Sequence, residues 1–368
     1  MIFELSDDFT GWSSIDDWNT YLPAIENLIN SHLQGAHYFI PQRSVAETLS
    51  TFGCVSARQL AVLQYDILAR YSTLVATART VSFTILLVPE GVRRTPQQAN
   101  QKVMPLLSAA QPLTCREARI LVENRESDGG FWERMVSVLA EEANFVSFGP
   151  LYFEGGGGAT MAETYRQKIV EQIPTLCIAD SDCEYPGGPL GATAFDVNRL
   201  IGTEPIPTIA AHILGVREIE NFVPVKVARD IYASNPGVQQ ALDFYERLER
   251  FSREPHCAIG QEYNRFVDMK LGLRRSVVRR HEHTGAQFFR QLWQASAPSE
   301  TEFDLEGPET IFPGISTNLI RGTIAFLGTP ANRARMRARV KDLVFFSELL
   351  AIVELILAFS AAPPRQRV

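Results

Sequence analysis

The chain has 368 residues, of which 45% are hydrophobic, and a formal net charge of −7. That length supports a sizeable core and more than one domain. The acidic balance excludes a wholly basic, histone-like binder but leaves room for a local basic groove. The opening MIFELSDDFTGW lacks the basic-then-apolar pattern of a secretory signal, and Cys54, Cys115, Cys177, Cys183 and Cys257 form an odd, scattered set with no C-x-x-C pair. Both features predict a cytoplasmic protein with free thiols.

Residues 1–115 read as a mainly helical domain. Acidic Asp16-Asp17 precede an apolar-periodic stretch with Leu22, Ile25, Leu28 and Ile29. Ser56-Ala57-Arg58-Gln59 opens a second, with Leu60, Leu63, Ile67 and Leu68 on one face. Val81–Val88 is β-branched and apolar, so its pattern fits helix or strand equally. The polar stretch Arg93–Lys102 reads as a loop. Packing, dimerisation or partner contact is the role expected here, since no catalytic pattern occurs.

Residues 116–225 read as an α/β unit. Ile120-Leu121-Val122 runs into Glu123, a turn leads to a helical pattern over Phe131–Ala140, and a second strand is expected near Phe145–Phe153. Four glycines, Gly155 to Gly158, follow it, then a helical pattern over Thr160–Gln172 that Pro174 ends. A third strand is expected over Thr175–Asp182, ending in Asp180-Ser181-Asp182, and a fourth apolar run covers Ile209–Val216. The Gly- and Pro-rich stretch between them, Cys183–Pro207, reads as a long loop. In open α/β sheets, ligands bind at the carboxyl ends of strands. Acids at two such ends, Glu123 with Asp180 and Asp182, therefore form a candidate hard-cation site.

Residues 226–368 return to helix. Val238–Phe251 is amphipathic, and Leu343–Ala362 reads as a buried terminal helix, because Glu348 and Glu354 interrupt it short of the ~20 apolar residues of a membrane span. Arg333, Arg335, Arg337 and Arg339 alternate, so a helix turning about 100° per residue splits them between faces. These arginines, with Arg274, Arg275, Arg279 and Arg280, could track a nucleic-acid backbone or form a solvated face. His281-x-His283 reads as a surface pair, having no matching ligand nearby.

The D-x-D pair on extended chain projects both carboxylates to one side, because side chains alternate with period two. Beside Glu123 they would hold Mg²⁺ or Mn²⁺ through oxygen. Two such ions roughly 3.5–4 Å apart activate water and stabilise the leaving oxygen in phosphodiester cleavage. No G-x-x-x-x-G-K-[ST] occurs, so the glycine loop is not a P-loop.

The ordered set ILVEN, FEGGGGAT, LCIADSD and REIENFVP resembles the topoisomerase–primase (TOPRIM) domain, and specifically TOPRIM nucleases of the overcoming-lysogenisation-defect type and their relatives in bacterial anti-phage systems. The resemblance covers about 110 of the 368 residues. It implies a central TOPRIM α/β domain with a mainly parallel sheet, residues 116–225, between helical domains at 1–115 and 226–368. It implies a Mg²⁺- or Mn²⁺-dependent endonuclease or nickase acting on DNA or RNA. Glu123 would be a metal ligand or general acid/base, and Asp180, Asp182 and Asp128 metal ligands. Glu220 would be a further acidic contributor; Lys270, Gly156 and Gly157 are candidates for contact with a phosphate. Two departures stand out: Asn124 replaces the family's glycine, and Glu123 to Asp128 spans five positions rather than four. That spacing leaves open whether Asp128 or Glu126 faces the metal, with an N-cap role as the alternative for Asp128. Related nucleases carry or work beside an ATPase, so an ATPase partner in trans is expected. The alternative function is a non-cleaving nucleic-acid-binding or regulatory subunit acting with that partner. The oligomeric state, a homodimer included, is left open.

Overall fold

Apolar runs such as Thr84–Val88 and Thr175–Ala179, buried throughout, need cover on both faces, and each lies inside a parallel sheet. A computed structural model describes every residue except 52–54, 97–100, 144–147, 202–205, 253–264, 282–287, 290–291, 293–309 and 365–368. The first sheet joins β1 (Ile2–Leu5), β2 (Tyr38–Ile40), β3 (Thr84–Val88) and β4 (Gln101–Pro105) in the order β2-β1-β3-β4, all parallel. The second joins β5 (Arg119–Val122), β6 (Tyr152–Gly155), β7 (Thr175–Ala179) and β8 (Ile209–Ile213) in the order β6-β5-β7-β8, again all parallel. The two sheets thus share one strand order. The protein is a mixed α/β chain, and among the described residues no helix is long and apolar enough to cross a membrane.

The first sheet corrects the expectation of a helical region over 1–115. Glu4 interrupts β1, β2 has three residues and polar Gln101-Lys102 open β4, so no continuous apolar run marks these strands. The ambiguous run Val81–Val88 is strand from Thr84, and the end of the expected loop Arg93–Lys102 is the start of β4. Both apolar-periodic stretches are helical, as Leu22–Gln34 and, from Ala57, one helical run that loosens into π geometry over Val62–Leu68. The second strand of the central unit begins later than expected, at Tyr152, and the long loop contains the helix Ala192–Leu200. Among the described residues of 226–368, the regular elements are helices and one antiparallel pair, β9 (Gly272–Arg274) and β10 (Thr310–Pro313).

Alternation along β5 and β7 divides the central sheet's contacts. Ile120, Val122, Leu176 and Ile178 face the main core, while Leu121, Cys177 and Ala179 face a smaller one with Met161, Tyr165 and Val197. The main core runs through all three parts of the chain. The terminal helix Phe346–Phe359 ties them together. It packs on the helix Gly130–Leu139 of the central unit, and Phe359 stacks on Phe83 at 5.0 Å beside the first sheet. The Met1 amine donates to the carbonyls of Phe359 and Ala361 at 3.1 and 2.8 Å.

Candidate active site

Strand order β6-β5-β7-β8 puts β5 next to β7, so the residues that follow them emerge side by side. Glu123 leaves β5 and Asp180 leaves β7 at the carboxyl edge of the sheet, where chain crossovers diverge and a crevice opens. The glycine loop then fixes the exit of β5. Gly156 N–H donates to the Val122 carbonyl (2.7 Å) and Gly157 N–H to that of Glu123 (2.9 Å). Gly157 and Gly158 adopt left-handed φ of 72° and 48°, and a Cβ on Gly156 would lie 2.7 Å from the Met161 side chain. The amides of Gly156 and Gly157 are therefore committed to the strand end. They clamp Glu123 rather than offering donors to a phosphate, which corrects the expectation for both glycines.

The turn after Glu123 resolves the spacing of Asp128. Asn124, not Asp128, is the N-cap: its side chain accepts from the Glu126 and Ser127 amides. Residues Arg125–Gly129 form a π-helical turn, in which Gly129 N–H reaches the Asn124 carbonyl. A π-turn is one residue longer than the α-helical turn, so it absorbs one extra position. Asp128 thereby points back, accepting from Asn124 N–H at 2.8 Å and the Ser127 hydroxyl at 2.6 Å. Its charge is felt at Glu123 and Asp180, whereas Glu126 is exposed. Asp128 is the acid that faces the cluster.

After β7 the chain stops being extended. Asp182 has φ +52°, which only short polar side chains and glycine adopt readily. Its amide is held by the Arg217 carbonyl at 2.9 Å, and Gly191 lies so close that a Cβ there would sit 2.4 Å from that of Asp182. Strand alternation does not orient the D-x-D pair; this turn does. Asp180 is half-buried and accepts from Ile219 N–H at 3.2 Å. That contact brings in the 3-10 turn Ile219–Phe222 and, with it, buried Glu218 and Glu220.

Lys270 enters from the region after the central unit. Asp268 accepts from the amides of Lys270 and Leu271, while Arg217 pairs with Asp268 and Glu218 at 3.2 Å each. Behind it, a Cβ on Gly314 would lie 2.1 Å from the Lys270 carbonyl. So placed, the Lys270 ammonium lies 2.6 Å from Glu218 Oε2 and 3.3 Å from Glu220 Oε1. It is a counter-ion inside the cluster.

Burial and mutual repulsion set the electrostatics. Burial, then the charges of Asp182 and Asp128, pushes the Glu123 carboxyl up to about 7. Burial lifts Glu220 to about 7 as well, although Lys270 opposes it. Asp180 is raised well above the ordinary range, first by burial, then by Glu220, Asp128, Glu218 and Glu123. Burial also raises Asp182 and Asp128, with Arg217 opposing it at the first and a Ser127 hydrogen bond at the second. Lys270 is raised, because the pull of Glu220 and Glu218 exceeds the effect of its burial. Lys270 and Arg217 together do not neutralise this many carboxylates. Glu123 Oε1 and Glu220 Oε2 are buried without a hydrogen-bond donor, which is costly for an ionised group. Glu218 Oε2 differs, since Lys270 lies 2.6 Å away.

An oxygen-only donor set with excess negative charge and unpartnered buried oxygens fits a hard divalent cation. Among the described residues, no three His, Cys, Asp or Glu side chains already close around a single ion-sized point. Glu123, Asp128, Asp180, Asp182 and Glu220, all singled out from sequence, face one cluster. Glu218 and Arg217 were missed, although the E-x-E spacing of Glu218 and Glu220 in one segment is a readable signal. The arginines of the helix Pro330–Val340 lie elsewhere and are mostly engaged: Arg337 donates to the Val138 carbonyl and pairs with Glu141, and Arg335 pairs with Asp230. His281 pairs with Glu184 and stands 4.9 Å from the Tyr185 ring, so it is not a plain surface residue; His283 lies outside the described residues. Comparison of the chain with protein-family models, with curated proteins and with solved structures finds no match.

Proposed function

We propose that the chain is a metal-dependent phosphodiesterase of the TOPRIM nuclease type, cutting DNA or RNA as the effector of a bacterial anti-phage system. The observation that carries this reading is the gathering of Glu123, Asp128, Asp180, Asp182 and Glu220 at the carboxyl edge of one parallel sheet, with far less positive charge than negative. Asp180, Asp182 and Glu123 would hold Mg²⁺ or Mn²⁺, with Asp128 and Glu220 beside them. When bound, the cation would supply a Lewis acid for the phosphoryl oxygen and a water of lowered pKa. Glu123, poised near 7, is suited to accept and return a proton at neutral pH. Lys270, a point charge on a flexible stem, can leave Glu218 and Glu220 for an approaching phosphate.

The test is Mn²⁺-dependent cleavage of plasmid DNA and of tRNA by the purified chain, alone and with an ATPase partner supplied in trans. The Asp180→Ala/Asp182→Ala variant should lose activity by more than the roughly 10–100-fold that loss of an outer-shell partner costs, while its circular dichroism stays unchanged. Undiminished cleavage by that variant would sink the assignment. A second reading is favoured by one observation, the ion pairs of Lys270 with Glu218 and Glu220. In it, the acid cluster is held by protein charge, and the chain is a non-cleaving nucleic-acid-binding or regulatory subunit of the same ATPase.

A further inference from the structure

The first sheet has the same strand order as the second, so it has the same kind of switch point, between β1 and β3. The chain leaves β1 toward β2 on one side and leaves β3 toward β4 on the other, which opens a crevice at their carboxyl ends. Here the crevice is a cavity of about 320 Å³. That lies at the lower end of the roughly 300–1,000 Å³ typical of small-molecule sites. Ser6 and Asp7 after β1, Gln42 after β2 and Arg94 after β3 stand on its rim, and the helix Tyr71–Thr80 forms its roof.

The chemistry of the lining is not that of a packing defect. Ile40 and Leu86 flank Glu4 in register, so all three share one face of the sheet. Gln101 pairs with Thr84, two residues from Leu86, and projects from that same face. Strands of a parallel sheet are covered on both faces and are normally apolar throughout. A glutamate in the middle of the central strand β1, bonded to Gln101 and near Arg79, breaks that rule. The opposite face of β1, with Phe3 and Leu5, obeys it. Thr84, 2% exposed, adds a hydroxyl on the Glu4 face with no hydrogen-bond partner. Arg94 is held across the switch point by Asp7 and Asp8, and Arg79 projects from the roof as an exposed cation.

We infer that this cavity binds a nucleoside monophosphate, with Glu4 and Gln101 reading the base edge and Arg79 holding the phosphate. The pairing of groups identifies the ligand class. A carboxylate beside an amide accepts N–H donors and returns one of its own, the pattern met by the amide and exocyclic amine of guanine. A guanidinium at the mouth matches a phosphate in planar, bidentate fashion. The volume suits one nucleotide rather than two. Burial raises the Glu4 carboxyl from its ordinary value against the opposing effects of Gln101 and Arg79. The inference is independent of the acid cluster on the second sheet.

Calorimetric titration of the full chain in EDTA tests this, with GMP, guanosine and inorganic phosphate as separate probes. GMP should bind, and more tightly than either fragment. Glu4→Gln and Arg79→Ala should each weaken it by about tenfold or more, the loss of one charge-assisted hydrogen bond. Val75→Trp, which fills the cavity from its roof, should abolish binding and covers the case in which Glu4→Gln fails to fold. Asp180→Ala/Asp182→Ala should bind GMP unchanged. Absence of GMP binding at millimolar concentration overturns the inference. So does phosphate binding as tightly as GMP, or GMP affinity unmoved by Arg79→Ala and Val75→Trp.

Discussion

The two sheets of this protein share a strand order and differ in what they set at the same place. Each has a switch point where the chains leaving its first and third strands part, the place where open α/β sheets bind ligands. At the central sheet those exits carry Glu123 and Asp180-x-Asp182, with Glu218 and Glu220 brought in beside them, against Lys270 and Arg217. At the first sheet they carry Ser6, Asp7 and Arg94, over a floor containing Glu4, and the charges of opposite sign nearly pair off. Topology supplies the switch point in both cases; the residues just past the strand ends decide whether it favours a cation or a mixed polar ligand. The difference is also energetic. Carboxylates raised to about 7 mark a cluster short of positive charge, whereas Asp8 at the first sheet is lowered, held down by Arg94 and Ser6 against the effect of its own burial.

The largest effect expected from breaking this contrast follows removal of the central counter-ion. Lys270→Met strips Glu220 of its counter-ion and leaves Glu218 only Arg217. Breaking a fully buried pair costs roughly 3–5 kcal/mol; with Lys270 34% exposed, water reclaims part of that, and a loss of about 1–3 kcal/mol is expected by urea unfolding. Added Mn²⁺ should restore much of the midpoint if these acids can hold a cation, and should leave it unmoved if they cannot.

An effect of similar size follows pH. The Glu123 carboxyl is raised to about 7 in the folded chain, from an ordinary value of 4.5. Between those two values the native state binds a proton that the unfolded state has released. Stability therefore falls as pH rises through that window, and the cost stays in full above about 7. Glu123→Gln removes the titration. In EDTA the variant should gain on the wild type as pH rises from 4.5 toward 8, and the two should converge below 4.5. A difference in midpoint that does not vary with pH would show that Glu123 is not raised.

The smallest effect belongs to the first sheet. Thr84→Val exchanges an unpartnered buried hydroxyl for a methyl group of the same shape in a strand. Without a ligand it should be neutral or stabilising by up to about 1 kcal/mol in thermal or urea melts. A marked loss would reveal a partner for that hydroxyl.

Particular elements show what could be read in advance. β5, β7 and β8 were legible because each is a short apolar run ended by an acid or a turn, buried along most of β5 and all of β7 and half-buried along β8. The helix Phe346–Phe359 was legible for the same reason at a different period. β1 was not, since Glu4 breaks its apolar run, and β2 was not, since three residues make no run at all. The stretch before Tyr152 misled because Gly149-Pro150 interrupts an apolar run without revealing on which side the strand lies.

By itself, then, the sequence determined the central α/β order and which acids end its strands, because strand length, apolar run and terminal carboxylate are local properties. Only the tertiary structure decided that Asp128 rather than Glu126 faces the cluster, since a π-turn absorbs the extra residue there. It also decided that Gly156 and Gly157 spend their amides on the exit of β5, and that Lys270 arrives from about fifty residues beyond Glu220 to sit among the acids. Which groups share one crevice depends on how separate strand ends are brought together, and no local pattern records that.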